Sequence, residues 1–266
     1  MDYKMVVVDL DDSLLNSVSE ISEGNQRAIK EAKDKGVMVT IATGRMFYSA
    51  QPFARQLGVD IPIISCQGAT IINPITQKVL YNRPVSMELT RSIIEFALDR
   101  GLYIQVCYDD NYYYSEKCQW YEEYYELTKM EGVYCDDLIS FIKHPPAKLL
   151  IIDQQHNISK LWEEALSIYG DKLAVTISCP EYLEFNHPEA TKGNGVKVLT
   201  NMLNIPIEQV LAIGDSFNDI SMLDVAGLGV AVANAPDEVK AHADFITLPN
   251  NQDGVAHVVE KFILSV

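Results

Sequence analysis

The chain of 266 residues has no stretch approaching the about 20 apolar residues that a membrane-spanning helix requires, so no span is expected. Residues 1–10 hold no basic stretch followed by a long apolar run, the pattern of a secretory leader, and the cytoplasm is the expected compartment. Cysteine is sparse: Cys66, Cys107, Cys118, Cys135 and Cys179 are odd in number, widely spaced and never form C-x-x-C. That excludes a disulfide framework and a zinc or redox pair, and leaves reduced cysteines that mostly pack. Basic charge is also scarce, since 21 Lys and Arg against 37 Asp and Glu leave a net charge of −16. Such a balance repels phosphate backbones and anionic lipid, so neither nucleic acid nor a membrane surface is an expected partner. The five histidines, His144, His156, His187, His242 and His257, lack metal-ligand spacing and read as structural.

What the chain does have is a hydrophobic content of 48%, enough to bury a substantial core. Residues 5–10 form a short apolar run with three valines, suited to a strand buried on both faces of a parallel sheet. Residues 23–35 follow as a helix, with Ser22 as N-cap, Ala28, Ile29 and Ala32 on one face and Gly36 as the stop. A second strand at 37–42, a helix at 46–57 and a third apolar run at 61–65 complete a β-α-β-α-β rhythm, which implies right-handed crossovers and a parallel sheet.

The middle of the chain has another texture. A helix at 86–100 opens it, residues 103–134 are crowded with tyrosine, and strands at 149–152 and 174–177 flank a helix at 158–169. After His187 the doubly wound rhythm resumes, with a helix at 194–203, a strand at 210–213, a helix starting near Asn218, strands at 228–232 and 245–248 and a closing helix at 255–264. The expected fold class is therefore α/β: a doubly wound parallel-sheet core from residues 1–82 and 188–266, with a smaller α+β domain, residues 83–187, inserted in it. The aromatic group of Tyr112, Tyr113, Tyr114, Trp120, Tyr121, Tyr124 and Tyr125 is read as packing within the insert rather than as a pocket lining.

Three core strands end in polar clusters: Asp9, Asp11, Asp12 and Ser13 after the first, Thr43, Gly44 and Arg45 after the second, and the run Gly214, Asp215, Ser216, Phe217, Asn218, Asp219 after a later one. In a parallel sheet these ends share one edge, where ligands of such folds bind. Alone, D-x-D is a turn or a helix cap; three acidic or hydroxyl-bearing strand ends at one edge are a site. Asp9, Asp11 and Asp215 together repel one another unless a cation lies among them, and all-oxygen donors select a hard metal, Mg2+. Magnesium keeps waters and phosphate oxygens as ligands, so a phosphorylated ligand is expected, with Thr43 at a helix N-terminus adding an anion cradle.

With these motifs the sequence resembles the haloacid dehalogenase superfamily, specifically its Cof-like phosphatases with a class IIB cap, over the whole chain. The resemblance implies a phosphatase acting on a small phosphorylated metabolite, such as a sugar phosphate, through an aspartyl-phosphate intermediate. It implies that Asp9 is the nucleophile and Asp11 the general acid and base, that Thr43, Gly44, Lys192 and Asn218 bind phosphate, and that Asp9, Asp11 and Asp215 hold the metal. Asn218 contacts phosphate or a bound water in this reading, and Arg45 and Asp219 support the site. The family's first motif usually carries Gly and Thr where this chain has Asp12 and Ser13, so the Asp12 side chain is expected to point away from the phosphate. Two alternatives share the motifs: a phosphomutase or other phosphotransferase, in which the acceptor is a hydroxyl, and a non-catalytic phosphoacceptor or metabolite-binding protein. The complete fourth motif and the large insert argue against the latter.

Overall fold

Met5, Val6, Val7 and Val8 are fully buried and form β1 (Met5–Val8) in a computed structural model that describes residues 2–265. Met1 and Val266, the outer ends of the expected core segments, lie outside the described residues. Along the chain follow β2 (Met38–Ile41), β3 (Ile63–Ser65), β4 (Thr70–Ile72) and β5 (Val79–Asn82). Next come β6 (Tyr103–Tyr108), β7 (Asn111–Tyr114), β8 (Val133–Tyr134), β9 (Lys148–Ile152), β10 (Ala174–Cys179) and β11 (Tyr182–Asn186), then β12 (Val210–Gly214), β13 (Leu228–Ala231) and β14 (Phe245–Ile246).

The fold is α/β, with a parallel core sheet and a second sheet carried by an inserted segment. The core sheet runs β14-β13-β12-β1-β2, every neighbouring pair parallel. Helices connect its strands as the apolar periodicity predicts. The helix Glu23–Asp34 begins at Ser22, whose side chain accepts from the Asn25 N–H, and buries Ala28, Ile29 and Ala32. The helix Lys192–Leu203 starts two residues before the expected 194, because Thr191 accepts from the Asn194 N–H as its cap. That shift places Lys192 in the first turn.

The run at 61–65, expected as a third strand of this parallel sheet, does run parallel to the end of β2 but makes its ladder with another strand. It forms β3, which pairs antiparallel with β4 in a separate three-stranded sheet, β3-β4-β5, and meets the parallel sheet through the bridge Ala42 to Ile64. The chain reverses within Cys66–Gly68, which turns β4 back alongside β3 as an antiparallel partner. β4 and β5 were not expected from sequence; β4 spans three residues just after the reversal, and β5 is mostly exposed.

Two compact units emerge. The first comprises the described residues through Gly44, Ala50–Tyr81 and the described residues from Thr191 onward; the second comprises Arg45–Ser49 and Asn82–Ala190. Arg45–Ser49 groups with the insert through hydrogen bonds: the Phe47 and Tyr48 N–H groups donate to Asp110, and the Ser49 hydroxyl to the Thr128 carbonyl.

Within the second unit the sheet runs β10-β11-β9-β6-β7-β8 and is antiparallel except for β7 with β8. Ile104, Val106, Leu149, Ile151, Leu183 and Phe185 alternate onto one face and pack with Ile93, Ile94 and Ala97 of the helix Met87–Leu98 and Ile158 and Ala165 of the helix Gln155–Tyr169. The opposite face carries Gln105, Lys148, Glu184 and Asn186, all buried, with Lys148 and Glu184 paired at 2.8 Å. The tyrosines pack as expected: Tyr112 lies edge-on to Tyr124 at 5.0 Å, and Tyr114 meets Tyr121 at 4.7 Å. None of the five cysteines forms a disulfide.

Phe185 is fully buried and sits edge-on to Tyr169 at 5.8 Å, joining β11 to the helix Gln155–Tyr169. Truncation there removes both the transfer energy of the ring and its contacts, so Phe185→Ala lowers stability by about 3–5 kcal/mol, measured as a shift of the urea unfolding midpoint.

Candidate active site

The register of the parallel sheet fixes what meets at its carboxyl edge. Val8 pairs with both Ile41 and Ile213, so the residues that follow, Asp9, Ala42 and Gly214, leave the sheet side by side. The Asp9 N–H still donates to the Ile213 carbonyl at 3.0 Å, and the Ala42 N–H to Val8 at 3.0 Å. Asp9 is therefore held on the ladder while its side chain stands at the sheet end, only 4% exposed.

Lys192 reaches this point from the first turn of its helix. Its Nζ, 1% exposed, donates to Asp9 Oδ1 at 2.7 Å and to Asp219 Oδ1 at 2.6 Å. The other oxygen of Asp219 accepts from the N–H groups of Asp215 and Ser216, both at 2.9 Å, which closes the turn after β12 into a capping box. Gly214 is required here: a Cβ on it would lie 2.5 Å from the Asp219 Cβ.

Asp9, Asp215 and Asp219 each present a carboxylate oxygen within 4.8 Å of the others. Burial is the main influence on Asp9 and Asp215. It raises the Asp9 carboxyl well above the usual carboxylate range, with Asp219, Asp215 and Asp11 pushing the same way and Lys192 opposing. Asp215 is pushed up to about 7 by burial and by Asp219, against the Ser13 hydroxyl and Lys192. For Lys192, burial alone depresses the ammonium, and Asp219 and Asp9 more than reverse that, so the net shift is upward. The cluster gathers three carboxyl groups around one ammonium in a poorly solvated place, and its donors are all oxygen. That set fits a hard divalent cation. Asp219 has both oxygens engaged by Lys192 and the backbone, which leaves Asp9 and Asp215 as the carboxylates available to it.

Asp11, expected among the ligands, lies outside the trio; it is half-buried in the irregular turn Leu10–Leu14 with φ −70° and ψ 128°. Asp12 has φ 56° and is exposed, so this turn carries its side chain to the surface, and its carbonyl accepts from Asn234 Nδ2. Thr43 is fully buried, its N–H donating to Ile64 and its carbonyl accepting from the Gln67 N–H. Gly44 lies against Gln67, whose Nε2 would be 2.5 Å from a Cβ at that position. Asn218 donates its Nδ2 to Gln67 Oε1 at 3.0 Å. Arg45 groups with the second unit, where it donates to the Ser49 hydroxyl at 3.2 Å and the Leu127 carbonyl at 3.5 Å.

Two residues of the cluster were not singled out from sequence as functional. Ser13 donates its hydroxyl to Asp215 Oδ1 at 2.7 Å across 202 residues, orienting that carboxylate. Gln67 follows β3, and the reasoning that marked the other strand ends applies equally to the polar residues ending the run at 61–65.

Known proteins resemble the chain over nearly its whole length. A model of the haloacid dehalogenase-like hydrolase family matches residues 6–259. The 5-amino-6-(5-phospho-D-ribitylamino)uracil phosphatase YwtE of Bacillus subtilis is 32% identical, with 98% of each chain covered. Phosphatase YwpJ of the same organism is 27% identical, covering 98% of this chain and 100% of the relative. Among solved structures, a haloacid dehalogenase-like hydrolase from Bacteroides thetaiotaomicron superposes with a TM-score of 0.90 at 32% identity, over 98% of this chain and 99% of that one.

Removing the cation from the middle of this cluster strands two buried carboxylates. Lys192→Met therefore destabilises the metal-free protein by about 3–5 kcal/mol, measured by urea unfolding in EDTA. Because the folded-state value of Asp9 is raised, its protonated form favours folding; the loss shrinks at low pH and grows as pH rises through that folded value.

Proposed function

We propose that this chain, which belongs to the haloacid dehalogenase-like hydrolase family and is a phosphoric monoester hydrolase within it, cleaves small phosphorylated metabolites by way of a phosphorylated Asp9 and with magnesium as its cofactor. The observation that carries the reading is the buried Lys192 ammonium, 2.7 Å from Asp9 Oδ1 at the edge where Thr43 and Asp215 also emerge. A nucleophilic carboxylate needs its negative charge kept, and an incoming phosphoryl group needs positive charge waiting for it; one lysine serves both.

In this mechanism an Asp9 carboxylate oxygen attacks phosphorus and the bond from phosphorus to the ester oxygen breaks. Asp11 donates a proton to the departing alkoxide. A water molecule then attacks the phosphorus of the aspartyl phosphate, Asp11 takes its proton, and phosphate leaves with the Asp9 carboxylate restored. Lys192, the Thr43 hydroxyl and the backbone at Gly44 hold the equatorial phosphoryl oxygens, an arrangement of positioning and charge neutralisation that phosphoryl transfer mainly requires. Asp9 and Asp215, with Asp11 as the third expected ligand, would hold magnesium, and the ion would supply further neutralisation of phosphoryl charge. Ser13 fixes the Asp215 carboxylate and Asp219 fixes Lys192, while Arg45 supports the segment that follows Gly44.

Relatives of similar length act on phosphorylated metabolites, as the name of the ribitylaminouracil phosphatase states for that protein. For this chain, a panel of sugar phosphates, nucleotides and phosphorylated cofactors, assayed with magnesium for released inorganic phosphate, identifies the substrate.

Chelation abolishes turnover and added Mg2+ restores it, because the buried carboxylates otherwise repel an incoming phosphate; steady phosphate release in excess EDTA refutes the cofactor assignment.

The dual role of Asp11 separates in Asp11→Asn. With p-nitrophenyl phosphate, whose leaving group needs little protonation, attack by Asp9 persists while hydrolysis of the aspartyl phosphate lacks its base. A burst of nitrophenol followed by slow turnover is expected, with the covalent phosphate visible by intact-mass measurement. Steady turnover at the wild-type rate with no phosphoenzyme rejects Asp11 as acid and base.

A further inference from the structure

The turn after β3 is strained without an evident local reason. Cys66 and Gln67 both adopt left-handed backbone, with φ 49° and 59°, ahead of Gly68 at 95°. Neither residue type favours that region, and each costs free energy there, so such a turn persists where the surroundings demand it. Its consequence is the position of one side chain. The Gln67 N–H donates to the Thr43 carbonyl at 3.1 Å, its carboxamide lies against Gly44, and its Oε1 accepts from Asn218 Nδ2 at 3.0 Å. Gln67 is thus joined to two of the three strand-end clusters, with only 5% of its surface exposed.

That contact decides what Asn218 can do. With Nδ2 donated to Gln67, the carbonyl of Asn218 is the group left over, and Asn218 Oδ1 is buried with no hydrogen-bond partner among the described residues. A buried carbonyl needs a donor. A phosphoryl oxygen is itself an acceptor and cannot supply one, whereas a water in the hydration shell of magnesium is a strengthened donor, and magnesium keeps several such waters.

We infer that Gln67 is a positioning residue: it fixes the Asn218 carboxamide with its carbonyl turned to a water of the metal's hydration shell, not with its NH2 turned to phosphate. This rests on the magnesium reading above and resolves the two roles, phosphate or bound water, left open for Asn218. Gln67 then belongs to the outer support of the metal site, of the kind whose loss typically lowers metal affinity without removing a ligand.

The test is calorimetric titration of Mg2+ into the whole metal-free protein, paired with inhibition by inorganic phosphate at saturating Mg2+. Gln67→Leu removes the acceptor, and Gln67→Gly removes it while relieving the positive φ, so at least the latter keeps the turn. Both are expected to weaken Mg2+ binding by about 10–100-fold and to leave phosphate inhibition at saturating Mg2+ unchanged. Wild-type Mg2+ affinity in Gln67→Gly, or weakened phosphate inhibition with metal affinity intact, overturns the inference and leaves the proposed function standing. A wild-type protein that binds no Mg2+ overturns both.

Discussion

The site depends on one ammonium group buried among carboxylates. Lys192 cannot be held in a poorly solvated place without partners, and Asp9 and Asp219 cannot both be ionised there without it. The three are therefore obligate companions, and what supports one supports all. Asp219 is anchored by backbone N–H groups at the turn after β12, Asp9 by the ladder of β1, and Lys192 by a helix whose cap is Thr191. Three carboxyl groups thus crowd around one ammonium, a set of oxygen donors that could hold a divalent cation.

The parallel sheet makes the meeting possible. Because β1 lies between β2 and β12 in matched register, residues separated by about 200 positions leave the sheet as neighbours, as the Ser13 to Asp215 hydrogen bond shows. The inserted segment builds its own sheet and its own apolar core, so the chain can depart for more than 100 residues and return without disturbing that register.

Much of the fold was legible because it rests on local rules. Apolar runs buried on both faces announced β1, β2, β12 and β13; Ser22 announced a helix start, and its side chain does accept the expected N–H bond. The exception, β3, shows the limit of that reasoning. Its apolar run is as suitable for a parallel strand as the others, and its partner was decided by the tight reversal at Cys66–Gly68, a backbone conformation with no clear sequence signature. β4, three residues long, and β5, mostly exposed, lack the buried runs that announced the other strands.

The site divides in the same way. Sequence alone marked the polar residues that end the buried strands as candidates for chemistry, because several such ends converge on one edge of a parallel sheet, and it gave the α/β class through the alternation of buried runs and amphipathic helices. Tertiary structure alone decided their relations: that Lys192 bridges Asp9 and Asp219, that Asp219 spends its oxygens on this bridge and on backbone N–H groups, that Asp12 turns outward, that Arg45 bonds Ser49 and Leu127, and that Ser13 and Gln67 orient Asp215 and Asn218. Each of those facts is a distance between residues far apart in sequence or a backbone angle in an irregular turn. Residue type and spacing encode propensity and burial; such distances and angles are set only when the sheet closes its register and the turns between strands take their final shape.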